Sequence, residues 1–328
     1  MENSDYIELV SEIFQGYTEL IVKGRSVFLR HVSLQDQAKL SALIEKLTEE
    51  KIALGMSSEK DRLEFLKKEK LWGENDDLEI VEKENYVSNL SQTKKKVALP
   101  SQQKAIQKEI DEETAKLNLL RAKKRELIGP MTAEDFAAKE ANEKFIRSVL
   151  YTSPSFSELA FSQNDFDELS DEELFDVYNQ YQRTMERLSD ENIQKAVLQD
   201  FFSSYIGFCD KSMDFFGKPI INCSSAQRSL LIWGRCFLNI FQNVEKIPDS
   251  IRKDPKALLD FADNSRNREK VKNNSKGKEG STSFVMGTKE DAEALSDGAT
   301  IGNLADELKS SGGFLSQNDL LKRAGVRV

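Results

Sequence analysis

The sequence predicts a mostly α-helical protein with one β-hairpin near its N-terminus, and three observations indicate this. Apolar residues recur at alternating steps of three and four over most of the chain, which is the spacing of one helix face. Two β-rich runs, residues 17–22 and 26–31, flank a Lys23-Gly24-Arg25 turn, which is typical of a hairpin. Beyond residue 263 the apolar pattern stops. We therefore expect a hairpin with helices and a long charged helix over 1–130, a helical domain over 131–263 and a disordered, flexible tail over 264–328.

The N-terminal part begins with a short amphipathic stretch before the hairpin. Because an isolated two-stranded hairpin is only marginally stable in water, the predicted hairpin must pack on helices. A helix over 34–54 follows it directly, with Ser33 and Asp36 at its start. A second helix is expected from Ser57 or Ser58 to about Gly73, and Glu74–Asp77 is predicted to be a turn.

Residues 101–128 form a charged helix with a narrow seam of mostly apolar positions. The seam consists of Ile106, Ile110, Glu113, Leu117, Leu120, Lys124 and Leu127. Its two charged members weaken it as a coiled-coil seam. Two interpretations therefore stay open, an amphipathic helix packed on its own domain and self-association of the chain through 102–128.

The helical domain is expected to start at Thr132 with Asp135, and a further helix at Ser170 with Glu173. Its most apolar part is a predicted aromatic-rich helical hairpin. One long helix carries an apolar stripe over 198–216, and a second begins at Ser224 with Gln227. A short helix starting at Asp254-Pro255 can close the core.

Two groups of apolar side chains are candidates for binding another protein. Phe201, Phe208 and Phe215 recur every seven residues on a flank of the first predicted helix, so this helix is either buried on both sides or docks a partner there. The terminal group consists of Phe314, Leu315, Leu320 and Leu321. It is too small to bury itself, so we expect a short helix that forms on a partner, and the alternative is a frayed terminus.

The residues with potential chemistry do not combine into a predicted site, and we assign no catalytic, cofactor-binding or metal-binding residue. The single histidine, His31, is expected at a strand end or on the surface. Gly217-Lys218 lacks the glycine and the strand that a phosphate loop needs. We therefore expect a protein that is not an enzyme.

Acidic residues cluster at two places without the pattern of a calcium loop. Asp165, Asp167 and Asp171 are spaced like ligands, but Leu169 and Ser170 stand where a ligand and glycine belong. Asp76, Asp77, Glu172 and Glu173 lie on turns or helix starts, where the helix dipole favours acidic side chains. We interpret both groups as solvated faces.

Composition limits the setting and the kind of partner. The net charge of -9 makes nucleic acid an unlikely partner, and 39% hydrophobic against 31% charged residues favours a chain that is partly extended. An odd number of cysteines without metal-ligand spacing indicates reduced thiols in a cytoplasm. No apolar run reaches the length of a membrane span, so we expect no membrane contact.

Several segments together resemble a protein of a tailed-bacteriophage morphogenesis operon. They are Ile21–Arg30, Arg125–Gly129 followed by Thr132–Glu134, and Ile247–Leu259, set in a mostly helical body. Among such proteins the chain is most similar to a tail assembly chaperone. The resemblance implies an acidic, helical protein of the host cytoplasm, without cofactor, that holds the tape-measure protein or another tail protein during virion assembly.

The chain departs from that family in its length and in its tail after residue 263. A minor structural component of the virion, such as a neck, baseplate or tail protein, is therefore the alternative.

Overall fold

The computed structural model describes residues 2–97 and 100–275, and the described part is mostly helical. The predicted mostly helical fold class is confirmed. The described part contains the helices α1 (Asn3–Gln15), α2 (Leu34–Ala53), α3 (Glu59–Lys68), α4 (Glu74–Lys96), α5 (Pro100–Ile128), α6 (Ala133–Val149), α7 (Gln163–Asp167), α8 (Asp171–Arg187), α9 (Asp190–Val197), α10 (Ser212–Phe216), α11 (Ser225–Asn243) and α12 (Pro255–Ser275). Contacts divide the chain into unit 1, Met1–Asp77 with Arg121–Ala262, and unit 2, Leu78–Leu120 with the residues after Ala262.

The predicted hairpin is present as strands β1 (Tyr17–Val22) and β2 (Arg25–Arg30). Lys23 and Gly24 connect them with φ angles of 52° and 70°, and two left-handed residues in a row give the turn whose twist matches that of the strands. A third strand, β3 (Leu150–Tyr151), pairs antiparallel with β2 in the order β1-β2-β3. The sequence did not predict β3, because two residues carry no alternating pattern.

The hairpin packs on helices that lie beyond the boundary predicted at residue 130. Leu20, Val27 and Leu29 of the hairpin form one buried cluster with Ile146 of α6 and Val177 of α8. The hairpin is therefore packed on helices as predicted, and residue 130 falls inside unit 1.

Capping boxes set the helix starts that the sequence predicted. In each box, the N-cap side chain accepts a hydrogen bond from the backbone N–H three residues on, and the side chain at that position accepts one from the N-cap N–H. The boxes pair Ser33 with Asp36, Ser58 with Asp61, Thr132 with Asp135, Ser170 with Glu173, and Ser224 with Gln227.

The larger core of unit 1 lies where α1, α9, α11 and α12 meet. The fully buried side chains there include Leu9, Ile193, Leu230, Phe237 and Leu258. Phe202, which precedes α10, fills the same cluster. This core is built from the N-terminal stretch and the aromatic-rich region, which are far apart in sequence.

The prediction of one long first helix in the aromatic-rich hairpin is wrong. Instead of one helix over 198–216, the chain forms two 3₁₀ helices, Asp200–Ser204 and Ile206–Asp210, and then the short α10. The hydroxyl of Ser203 donates to the carbonyl of Asp200, which competes with regular helix bonding, and Gly207 lowers helix propensity further. The second helix, α11, is confirmed.

The prediction of a turn at residues 74–77 is wrong. Glu74–Asp77 is not an isolated turn but opens α4, because Asp76 accepts from the N–H of Gly73 and the acidic first turn suits a helix N-terminus.

Within unit 2 the predicted seam of α5 faces α4. Glu113 in that seam pairs with Lys83 at 2.9 Å. This favours packing within the chain, and self-association through 102–128 stays a prediction.

Helix α12 starts where Asp254 and Pro255 predicted, with the Asp254 carboxylate accepting from the N–H of Ala257. It continues to Ser275, past the boundary predicted at residue 263. The rest of the predicted tail, with Phe314, Leu315, Leu320 and Leu321, lies outside the described residues.

Candidate protein-binding segment

The three phenylalanines of the predicted docking flank lie in different surroundings. The segment that carries them is not one helix, so their seven-residue spacing does not place them on one face. Phe201 is partly buried against the core, Phe208 is 55% exposed, and Phe215 is buried. The ring of Phe215 lies 4.8 Å from that of Phe14 at the end of α1. Of these three phenylalanines, only Phe208 is therefore exposed enough to contact a partner.

Close contact with α11 fixes the 3₁₀ helix that carries Phe208. Cys209 is buried against Gly234, and a Cβ atom on Gly234 would lie 2.9 Å from the Cβ of Cys209 and still closer to its Sγ. Real Cβ atoms do not approach so closely, so a glycine is needed at position 234 for this 3₁₀ helix to pack on α11. With Cys209 held inward, Tyr205 and Phe208 stay exposed on the same stretch.

Helix α10 continues the exposed apolar stretch. It ends at Gly217, whose φ of 65° provides the left-handed cap. Phe216 packs against Phe14 and Phe215, whereas Met213 on the same short helix is 56% exposed. The core thus takes the two phenylalanines and leaves the methionine outside.

Two isoleucines complete the stretch just before α11. Ile220 and Ile221 lie in a short 3₁₀ turn after Pro219, and both are more than half exposed. We call residues 205–221 the exposed apolar segment; its exposed large side chains are Tyr205, Phe208, Met213, Ile220 and Ile221. Single exposed apolar side chains are normal, but a concentration of them marks a surface that another molecule can cover.

Two exposed ion pairs lie beside this segment. Asp210 pairs with Arg235 of α11 at 3.6 Å, and Asp200 pairs with Lys253 at 2.7 Å. Such exposed pairs contribute little stability on their own. They join the two 3₁₀ helices to Lys253 and Arg235 without covering Tyr205 and Phe208.

His31 lies directly after β2, at the strand end that was expected, but it is buried, so the expected surface position is wrong. His31 is 3% exposed, and its Nε2 lies 3.0 Å from the hydroxyl of Thr18. Thr18 in turn donates to Glu12 at 3.0 Å. Burial, with the nearby ammonium of Lys218, lowers the pKa of His31 to about 4, so the imidazole is neutral at pH 7. It holds α1 and the hairpin together.

Asp77, an acidic residue in the first turn of α4, has structural partners. Asp77 accepts from the indole N–H of Trp72 at 2.9 Å and pairs with Lys67 and Lys124, each at 2.8 Å. Burial alone would raise the pKa of Asp77, but these bonds together lower it well below its usual range. Asp77 therefore holds Trp72 and the ends of three helices together.

No arrangement of three or more histidine, cysteine, aspartate or glutamate side chains in residues 2–97 and 100–275 could hold a metal ion. Within the same ranges, no helix combines the length and apolar character that crossing a membrane requires. The three cysteines, at positions 209, 223 and 236, form no disulfide with one another.

The fold and this segment define a mostly helical protein with an uncovered apolar stretch. Comparisons with known protein families, with curated proteins and with solved structures find no match to this chain.

Proposed function

We propose that this chain is a non-enzymatic binding protein that holds another virion protein during assembly of a phage tail or baseplate. The observation that carries the binding role is the exposed apolar segment, with five large uncovered apolar side chains between residues 205 and 221. The phage setting is supported by the sequence resemblance alone. The expected partner is the tape-measure protein or another tail protein.

The binding role is tested by making the segment polar without disturbing the core. Phe208→Gln and Ile221→Gln change side chains that are more than half exposed, so the fold should tolerate both. Phe175→Gln is the matched control, because Phe175 is 67% exposed but lies on α8. Co-purification of tail proteins should fall sharply with the two segment variants and stay unchanged with the control. Equal recovery with all three variants contradicts the proposal.

The alternative, a minor structural component of the virion, is separated by a second measurement. Mass spectrometry of purified particles should show the chain absent or far below stoichiometric amounts if it acts only during assembly. Abundant, stoichiometric peptides would instead favour a neck, baseplate or tail protein.

A further inference from the structure

The solvent face of the small sheet carries several aromatic side chains. Buried positions alternate along β1 and β2 with exposed or half-buried ones, so one side of the hairpin faces the core. The side chains on the other side are those of Tyr17, Glu19, Ile21, Ser26, Phe28 and Arg30. Tyr151 of β3 joins them, because it lies opposite Phe28 in the register. The solvated face of an antiparallel sheet is normally polar, so three aromatic rings there are unusual.

The loop after β3 adds a fourth ring to this face. The ring of Phe156 lies 5.2 Å from that of Tyr151 and 6.1 Å from that of Tyr17, and Tyr17 lies 5.4 Å from Phe28. Phe156 has a φ of 54°, a left-handed conformation that is costly for a bulky residue. Strained residues of this kind recur at binding sites. We call these four residues the aromatic patch.

One arginine of the chain is held at this patch. The Cζ atom of Arg30 lies 5.9 Å from the centre of the Tyr151 ring, within the range of a cation–π attraction. Its two terminal nitrogens donate to the carboxylate of Asp36 at 2.9 and 3.0 Å. The sheet thus holds a guanidinium between an aromatic ring and a carboxylate.

Phe28 and Glu19 offer the same two kinds of group one strand along the sheet. They lie directly opposite each other in the register of β1 and β2, so their side chains are neighbours on the solvent face. The exposed carboxylate of Glu19 accepts a hydrogen bond from the hydroxyl of Ser26 and forms no ion pair with any residue in 2–97 or 100–275. Since Asp36 neutralises Arg30, the net charge on this face is negative.

Neighbouring cations do not compensate the charge of Glu19. Lys23 in the turn pairs with Glu173 of α8 at 3.1 Å, and Arg25 alternates to the other side of β2. The stretch from 148 to 182, which includes β3 and its loop, contains acidic residues but no lysine or arginine. A cation from a partner is therefore attracted to this face, and an anion is repelled.

We propose that Glu19 and Phe28 bind an arginine of a partner protein, with the guanidinium stacked on the ring and paired with the carboxylate. Arginine is favoured over lysine, because its plane stacks on rings and donates two parallel hydrogen bonds to a carboxylate. Ile21 follows Glu19 on the same face and is 58% exposed, so an aliphatic residue beside the arginine would cover it. This surface goes beyond the proposed function, because it is built from the sheet and its test does not use the exposed apolar segment.

The ligand chemistry can be tested on the full chain labelled with ring-¹³C tyrosine. The chain has seven tyrosines, and the variants Tyr17→Phe and Tyr151→Phe assign the two signals beside Phe28. The probe is a capped leucyl-arginine dipeptide at constant ionic strength. Its counterparts are leucyl-citrulline, which keeps the plane without the charge, and leucyl-lysine, which keeps the charge without the plane.

Both tyrosine signals should shift saturably with the arginine dipeptide. The citrulline dipeptide should bind roughly tenfold more weakly, because a bond between charged groups is lost, and the lysine dipeptide roughly threefold more weakly. Equal or tighter binding of either counterpart overturns the proposal. So does the absence of a saturable shift up to about 20 mM, above the millimolar constants expected of so small a ligand.

Variants separate Glu19 from the general acidity of the chain. Glu19→Gln keeps an acceptor for the Ser26 hydroxyl on an exposed residue, so the fold should tolerate it, and it should weaken the arginine dipeptide roughly tenfold. Glu45→Gln, an exposed glutamate on α2, is the matched control and should change affinity by less than about twofold. Unchanged affinity in Glu19→Gln, or an equal loss in the control, contradicts the assignment.

The role of the ring has its own variant. Phe28→Leu keeps an apolar side chain and should weaken the arginine dipeptide roughly threefold by removing the cation–π attraction. Full affinity in this variant, with a native amide spectrum, contradicts stacking on Phe28. If the variant does not fold, the comparison of Glu19→Gln with Glu45→Gln decides.

Discussion

The side-chain Nε2 of Gln227 lies 2.9 Å from the carbonyl oxygen of Ile13, so one buried glutamine joins α11 to the end of α1. Its Oε1 accepts from the backbone N–H of Ser224 at 3.0 Å. Gln227 therefore closes the capping box of its own helix and satisfies a terminal carbonyl of another. Two helices that are distant in sequence share one amide group.

Replacing Gln227 with leucine should lower the free energy of unfolding by about 2 kcal/mol, because a buried carbonyl and a buried N–H lose their partner. Gln37→Leu is the control, since Gln37 is exposed and its side-chain amide donates to the Ser225 hydroxyl at a longer 3.3 Å. Its effect should stay within about 0.5 kcal/mol. Urea unfolding measures both. Similar losses of unfolding free energy in the two variants would mean that the Gln227 amide does not hold α1 and α11 together.

Gly234→Ala should destabilise unit 1 by about 1–3 kcal/mol, because the added methyl group meets Cys209. Gly207→Ala is the matched control, since a Cβ there has no neighbour within 4 Å. Combining Gly234→Ala with Cys209→Gly should cost less than the sum of the two single changes, because the colliding side chain is gone. Thermal unfolding gives all four values, and strict additivity would exclude a direct collision.

Acid should weaken the fold through His31, the single histidine of the chain. The folded state keeps the imidazole neutral down to about pH 4, whereas the unfolded chain takes up a proton near pH 6.5. Stability should therefore fall as the pH drops from 6.5 to 4, by at most about 3 kcal/mol, and the loss should be absent above pH 7.

The variant His31→Gln keeps a hydrogen-bonding group beside Thr18 and removes the titration. Its stability should lack the part of the pH slope that His31 contributes between 6.5 and 4. Glu12, whose pKa burial raises, contributes with the opposite sign in both proteins, so the difference between them isolates His31. Identical slopes in urea unfolding at several pH values would contradict the assignment.

The pair of Lys83 and Glu113 predicts a measurable coupling inside unit 2. Both side chains are largely buried, at 22% and 15% exposure, so Lys83→Met and Glu113→Gln should show a coupling of about 1 kcal/mol in a double-mutant cycle. The exposed pair of Lys108 and Glu112, 3.8 Å apart, is the control and should couple by less than about 0.5 kcal/mol. Hydrogen exchange of the backbone amides in α4 and α5 measures the change in stability for each variant of both cycles. A coupling no larger than the control would contradict the pairing.

Local signals explain which elements could be predicted from the sequence. Capping boxes such as Ser33 with Asp36 act within four residues, and the Lys23-Gly24 turn needs only its own left-handed conformation. The segment 198–216 has helical spacing as well, yet its path depends on the contact of Cys209 with Gly234, which local spacing cannot show.

The contacts between residues distant in sequence could not be predicted, although the sequence indicated some of the residues that form them. Glu113 and Lys124 were recognised as charges in an apolar seam, but their partners Lys83 and Asp77 lie in a stretch that was not predicted to be helical. Whether Phe208 contributes to binding stays a prediction.

Strand β3 also sets the order in which this protein can fold during synthesis. Leu29 of β2 pairs with Leu150, and the buried helical side chains of the hairpin's cluster, such as Ile146 and Val177, come from residue 145 onward. A ribosome that adds about 5–20 residues per second needs on the order of ten seconds between these two leucines. During that interval the apolar side of the hairpin lacks these buried partners, so the speed of translation sets how long the hairpin, which is synthesised early, is open to aggregation.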